Sequence, residues 1–312
     1  MKCSICSEKS MACFDSLSYC KKHFIDAFEK KAFETIKKYN LIKGKKIAVA
    51  TSGGKDSTSV LYIVKKYMQK NKLGKPIALL IDEGIKGYRE KTLKDLKSFC
   101  SLEKIDLRIV SFEKEFGFSL DEYLNKVKSK PCTICGILRR YLLNKYSKGF
   151  DTIVTGHNLD DESQGFVMNL FNSDIMLMMR QGIISGAIDF KDFTKRVKPF
   201  YFIKEKEILI YSIAKKFNLS YNECPYSNFA LRSKFKTLLN EYEMRHLGSK
   251  KNSIELFLRL KELFIKNKNQ LLKGFEMLYC DVCKEPSSNK VCNCCLIRSA
   301  YPKQNEIKKV RT

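Results

Sequence analysis

The chain has 312 residues and a 44% hydrophobic fraction, enough for one sizeable core with small appendages, and no run of eighteen or more apolar residues. Its 59 Lys and Arg against 34 Asp and Glu leave a net charge of +25 spread along the whole length, which suits either a solvated Lys-rich surface or a polyanionic partner bound through salt-sensitive phosphate contacts. The opening "MKCSICSEKS" is not a charged segment followed by an apolar one, so a soluble, cytoplasmic chain without signal peptide or membrane partner is expected, and its 13 cysteines argue for metal ligation over disulfides.

Ten of the 13 cysteines fall in three groups, leaving Cys13, Cys100 and Cys294 outside them. The first group pairs Cys3-x-x-Cys6 with Cys20-x-x-His23, two knuckles able to close a tetrahedral zinc site with no open position; Cys13 is the alternative ligand. Four protein ligands mean a structural role. A helix follows, with Phe24, Ala27, Phe28, Lys31 and Phe33 in an amphipathic pattern.

The stretch "IAVATSGGKDSTSVLYIVKK" from Ile47 reads as a strand buried on both faces, a Gly-Gly turn and a helix. Gly53 and Gly54 let the backbone N–H groups at the helix start approach an anion beside the positive end of the helix dipole. The same turn is also what any buried strand uses to reach its helix. It is not a Walker A loop, because the first glycine of that motif falls on Val49. "PIALLID", ending at Asp82, is a second strand, "REKTLKDLKSFCSL" a helix, "IDLRIVSF" a third strand and "DTIVTGH" a fourth. Strands separated by helices predict right-handed crossovers and a parallel α/β sheet with ligands at the strand carboxyl ends. "SGGKDS", Asp82 and "GHNLDDESQ" all fall at such ends, which strengthens the phosphate reading of the glycine turn. His157, a lone histidine after a strand-end glycine, is expected to hold its loop by hydrogen bonds, with a direct role as general base the alternative.

"KPCTICGILRRY" places Cys132-x-x-Cys135 at the start of a helix carrying Arg139 and Arg140, and Cys224 in "NECPYS" is the only cysteine in a similar setting. Three thiolates are one short of a closed zinc or iron–sulfur site. They read either as a cluster with one open iron or as a redox or incidental pair plus a buried thiol. Past residue 235 the chain is Lys-rich and helical through Leu272. Cys280-x-x-Cys283 and Cys292-x-x-Cys295 then form a second four-ligand zinc set, with Cys294 one step out of register as the alternative, and "KQNEIKKVRT" ends the chain as a disordered tail or nucleic-acid contact. The domains expected are an N-terminal zinc finger (1–27), a nucleotide-binding domain (28–235), a helical segment (236–275) and a C-terminal zinc finger with basic tail (276–312).

"SGGKDS" resembles the PP-loop of ATP pyrophosphatases. Together with "DEGIKGYR", "KPCTICGILRR", "TGHNLDDESQ" and "ECPYS" in this order, between terminal knuckles, it is similar to the cytosolic tRNA 2-thiouridine synthetases. The resemblance covers nearly the whole chain and implies a Rossmann-like PP-loop domain with a parallel sheet, flanked by zinc knuckles. It implies adenylation of a uridine C2 carbonyl oxygen by ATP, followed by sulfur transfer. Ser52, Gly53, Gly54 and Ser57 are then expected to hold phosphates and Lys55 to offset their charge, with Asp56 and Asp161 on Mg²⁺ or the α-phosphate. Arg139 is assigned to the ATP phosphates, Asp82, with Glu83 as competitor, to the ribose or adenine, and Gly156 to close approach of the nucleotide. Cys132, Cys135 and Cys224 are assigned to an iron–sulfur cluster, 4Fe-4S or 3Fe-4S. The partners implied are tRNA, a sulfur donor (a ubiquitin-like thiocarboxylate carrier or sulfide) and a second copy of the chain. The wobble uridine is the expected target; T-loop uridine thiolation, 2-thiocytidine synthesis and non-catalytic zinc-bearing RNA binding are the alternatives.

Overall fold

The structure is a computed structural model and describes residues 1–14, 16–185, 192–227, 231–267 and 277–302. A hairpin of β1 (Ala12–Phe14) and β2 (Leu17–Tyr19) leads into α1 (Lys21–Lys38). The glycine-bounded apolar run becomes β3 (Ile47–Thr51), followed by α2 (Lys55–Lys70), β4 (Ile77–Asp82), α3 (Arg89–Glu103) and β5 (Asp106–Ser111). Three helices, α4 (Phe112–Phe116), α5 (Leu120–Lys126) and α6 (Pro131–Tyr146), precede β6 (Thr152–Val154), α7 (Leu159–Phe171) and α8 (Ile175–Arg180). Next come β7 (Ile184–Ser185), β8 (Arg196–Val197), α9 (Glu205–Ala214), α10 (Leu231–Arg245) and α11 (Ser249–Lys266). A second hairpin, β9 (Leu278–Tyr279) and β10 (Pro286–Ser287), and α12 (Asn293–Ser299) complete the described chain.

Six strands form one sheet in the order β5-β4-β3-β6-β8-β7. Every neighbouring pair is parallel except β7 with β8. The parallel α/β expectation therefore holds, and the structure adds two strands that the sequence reading lacked. Each has two residues, too short for any periodicity to show. Because β3 lies between β4 and β6, the chain leaves it toward opposite edges, and a crevice opens at the carboxyl ends of β3 and β6.

Aromatic packing fixes the helices on one face: Phe28 of α1 stacks on Tyr211 of α9 at 4.1 Å between centroids and meets Phe200 edge-on at 5.5 Å. On the other face, Leu79, Ile81 and Val110 pack with Phe112, Phe118, Leu138 and Leu142, and this cluster extends to Cys280, Cys292 and Cys295 of the C-terminal unit. A smaller cluster of Phe166, Met178 and Phe257 joins α7, α8 and α11.

Helix α1 runs unbroken through residues 27 and 28, and α10 through 235 and 236, so continuous helix carries the chain across both positions. Residues 268–275 of the expected helical segment, residue 276 and the tail from 303 lie outside the described residues. No described helix is long and apolar enough to cross a membrane.

Candidate nucleotide site and metal centres

Gly53 turns the chain out of β3 with φ +81°, and a Cβ there would lie 2.4 Å from the Thr92 carbonyl oxygen, so only glycine fits. Gly54 is the N-cap of α2 and offers no side chain to cap it. The first amides of α2 are therefore open to an external anion. The loop is already shaped: Ser57 Oγ accepts from the Ser52 N–H at 3.1 Å and donates to the Gly54 carbonyl at 3.0 Å.

Lys55 Nζ lies 3.0 Å from Asp56 Oδ2 and 2.9 Å from Glu205 Oε1. Glu205 in turn meets Lys236 of α10 at 2.8 Å. The Glu205 backbone N–H donates to Asp160 Oδ2 at 2.7 Å, and Asp160 is paired with the buried Lys250 of α11. Helices beyond the sheet thus reach the phosphate-loop lysine. Burial raises the Asp56 carboxyl to about pH 6 against the pull of Lys55, with the Asp161 charge adding to the rise. Asp56 Oδ1 is buried with no hydrogen-bond partner, an orphan acceptor of the kind a divalent cation satisfies.

The segment after β6 closes over this loop. A Cβ on Gly156 would meet the Asp56 carbonyl oxygen at 2.9 Å and the Ser57 nitrogen at 3.0 Å, so the close approach that this glycine permits is that of the phosphate loop itself. Asn158 and Asp161 form a capping box at the start of α7: Asn158 Oδ1 accepts from the Asp161 N–H at 3.1 Å, and Asp161 Oδ2 accepts from the Asn158 N–H at 3.2 Å. Burial raises the Asp161 pKa as well. His157 Nδ1 lies 2.9 Å from Thr155 Oγ1, and desolvation in the cleft, reinforced by Lys198, lowers its pKa to about 3.

Asp82 caps its own turn, accepting from the Gly84 N–H at 2.9 Å. Its neighbour Glu83 is buried and ion-paired to the buried Arg89, and lies 3.5 Å from Arg139 Nε. Arg89 donates to the Ser52 carbonyl at 2.8 Å. One carboxylate therefore braces the phosphate loop through Arg89 and positions Arg139, whose charge acts on the Cys135 thiol. Sequence reasoning assigned no role to Arg89, Glu205 or Lys236. The available signal was that Arg89 closes "DEGIKGYR"; Glu205 and Lys236 stand in plain charged helix starts.

Pro131 at the first turn of α6 sets Cys132 and Cys135 on that helix. Cys224 interacts electrostatically with both, and Cys132 Sγ donates to the Tyr226 carbonyl at 3.4 Å. Burial, with Glu83 adding, pushes the Cys135 thiol up to about 12, and burial raises Cys224 too. Cys132 is exposed and the other two are partly so, and their three sulfurs are not drawn together within 4.8 Å as those of each terminal set are.

The terminal sets are compact. Ligand atoms of Cys3, Cys6, Cys20 and His23, and of Cys280, Cys283, Cys292 and Cys295, all lie within 4.8 Å of one another in their own set. The separations of 3.8 Å for Cys6–Cys20, 3.8 Å for Cys280–Cys295 and 3.7 Å for Cys283–Cys292 match the edge of about 3.8 Å of a tetrahedron with ~2.3 Å metal–sulfur bonds. Cys13 is exposed and Cys294 buried, and neither joins a ligand set.

A phosphate-binding loop at the switch point of a parallel sheet, with a set of ligating residues at each end of the described chain that could hold a metal ion, defines a nucleotide-using PP-loop protein. The PP-loop domain family matches residues 26–232. A tRNA-5-methyluridine(54) 2-sulfurtransferase of Pyrococcus horikoshii is 36% identical over 301 residues, 95% of this chain and 93% of that one. The cytoplasmic tRNA 2-thiolation protein 1 of Drosophila melanogaster is 36% identical over 230 residues, 72% of this chain and 66% of that one. The solved U34-tRNA thiolase NcsA of Methanococcus maripaludis, with its [4Fe-4S] cluster, superposes with a TM-score of 0.78 at 29% identity over 97% of both chains. The chain belongs to the PP-loop family of tRNA 2-sulfurtransferases.

Proposed function

We propose that this protein 2-thiolates a uridine of tRNA at the expense of ATP. The observation that carries the reading is the buried Glu83, which ties the phosphate loop, through Arg89, to Arg139 and the open cysteine group. The uridine O2 attacks the α-phosphorus of ATP and pyrophosphate leaves; sulfur then bonds to C2 and AMP departs, taking the former O2. Ser52, Gly53, Gly54 and Ser57 cradle the phosphates. Lys55, released from Glu205, offsets the charge on the leaving pyrophosphate. Asp56, with its orphan Oδ1, and Asp161 are the carboxylates that would hold Mg²⁺, which supplies charge neutralisation at the phosphates.

Cys132, Cys135 and Cys224 would hold an iron–sulfur cluster, 4Fe-4S or 3Fe-4S, supplying an iron without a protein ligand for the sulfur to be transferred. The fit rests on three soft thiols, one exposed and two partly so, with no fourth ligand beside them among the described residues. Zinc suits both terminal sets, where four ligands leave no open position. Asp82 and Arg139 flank the nucleotide. The same reading takes the enzyme as a cytoplasmic homodimer supplied by a thiocarboxylate carrier or by sulfide.

For the target we propose the wobble uridine, supported by the fold-wide likeness to a U34 thiolase. The 36% identity to a position-54 sulfurtransferase favours the T-loop as the second reading. Anaerobic thiolation of unmodified tRNA with ATP and sulfide, followed by nucleoside mass spectrometry, tests the activity, and absence of 2-thiouridine overturns it. In tRNA from a deletion strain, loss of thiolation confined to the T-loop overturns the wobble assignment alone.

A further inference from the structure

A second cavity, of about 860 Å³, opens on the far side of α6, between α7, α8, the β7–β8 pair and the C-terminal hairpin. Its walls carry Arg140, Arg180, Lys195, Arg196, Lys198 and Arg232. Lys198 is matched by Glu162 at 2.8 Å, and Arg232 donates to the Asp161 backbone carbonyl. Arg140 and Arg196 have no carboxylate partner among the described residues; Arg196 is held only by neutral acceptors, the Asn144 side chain and the Arg140 carbonyl. Arg196 is half-buried and donates to the backbone carbonyl of the exposed Arg140, so the two residues meet at the cavity with no counter-charge beside either guanidinium among the described residues. Two like charges held this close favour an anion that enters between them.

The rest of the lining says which anion. Met168, Leu177 and Ile184 give the same cavity an apolar floor, and Pro286 and Ser287 of the C-terminal hairpin close its far wall. Guanidiniums beside apolar surface suit a single-stranded nucleotide segment, with phosphates on arginine and a base on the floor. Arg140 is the residue after Arg139, on the helix that carries Cys132 and Cys135, so a strand seated here lies against the helix that bears those thiols. Accepting the tRNA-thiolation reading, we propose that this cavity seats the RNA strand adjoining the target uridine, with Arg140 and Arg196 on its phosphates.

The test is binding of unmodified tRNA by the full-length, zinc-loaded protein across a salt series, for the parent, Arg140→Gln and Arg196→Gln. Each variant should bind about tenfold more weakly and flatten the plot of log K against log salt by about 0.7 to 0.9. Unchanged affinity and slope in both variants would overturn the proposal. Because Arg196 also holds Asn144, UV cross-linking of a tRNA anticodon-arm oligonucleotide to the parent protein gives an independent reading. Cross-linked peptides containing Met168, Leu177 or Ile184 support the seat, and cross-links confined to other surfaces refute it. A parent that binds and cross-links as expected but thiolates no tRNA leaves the seat standing and removes the activity; a parent that thiolates while both arginine variants bind normally does the reverse.

Discussion

Replacing Glu83 by Gln keeps the shape of the side chain and removes one negative charge from a place where two guanidiniums converge. Glu83 is 2% exposed and Arg89 4%, so Arg89 is left as a buried cation without its carboxylate. Removing one partner of such a pair costs about 3–5 kcal/mol. Against a typical total of ~5–15 kcal/mol this is a large share of stability. The loop brace weakens as well, because the Arg89 donation to the Ser52 carbonyl depends on where the guanidinium sits. Changing both residues, with Arg89→Met, removes the uncompensated charge, and the loss should shrink to about 1–2 kcal/mol, near the worth of the missing hydrogen bonds. Urea denaturation of the zinc-loaded parent, both single variants and the double variant, with ATP affinity measured on each, closes the cycle. A Glu83→Gln loss under about 1 kcal/mol with unchanged ATP affinity, or a double variant as weak as the sum of the singles, would refute the argument.

Asp56 gives a pH signature. Its folded pKa of about 6 lies above the ordinary 3.8, so its contribution favours the folded state at low pH and is lost as pH rises through 6; without Mg²⁺, Asp56→Asn should therefore melt higher than the parent at pH 7, with the gap closing by pH 4. A constant gap in thermal melts would contradict the shift. Cys224→Ala should abolish thiolation while keeping two zinc ions per chain, and Cys283→Ala should lower zinc content and solubility together; metal analysis beside the activity assay separates them. Gly156→Ala forces a methyl group against the Asp56 backbone at 2.9 Å and should cost about 1–3 kcal/mol along with ATP affinity, measured by calorimetry. Asp161→Asn should retain the α7 cap yet lose ATP-dependent turnover, whereas unimpaired turnover would leave Asp161 only its capping role.

The parallel sheet was legible because β3 and β4 are apolar on both faces and end in glycine or acid, and the knuckles because metal spacing is local in sequence. What escaped was non-local or short. Strands β7 and β8 have two residues each and exist only by pairing with β6. Glu205 of α9 reaches Lys55 from 150 residues along the chain, and Lys236 of α10 pairs with that glutamate. Gly156 was legible as a place of close approach, but what approaches it is decided by how two loops meet. Arg139 lies one helical turn after Cys135 on α6, while its carboxylate partner became visible only in three dimensions.

The C-terminal thiol knot is also a wall. Cys280, Cys292 and Cys295 belong to the same apolar cluster as Ile134 and Leu138 of α6, and Cys135 and Cys224 pack against it. On the proposed zinc assignment, stripping the metal from that knot would remove part of the surface that packs against α6. On the proposed cluster assignment, a chelator used during purification would then release iron it never touched, and a preparation poor in iron would be as much a record of lost zinc as of exposure to oxygen.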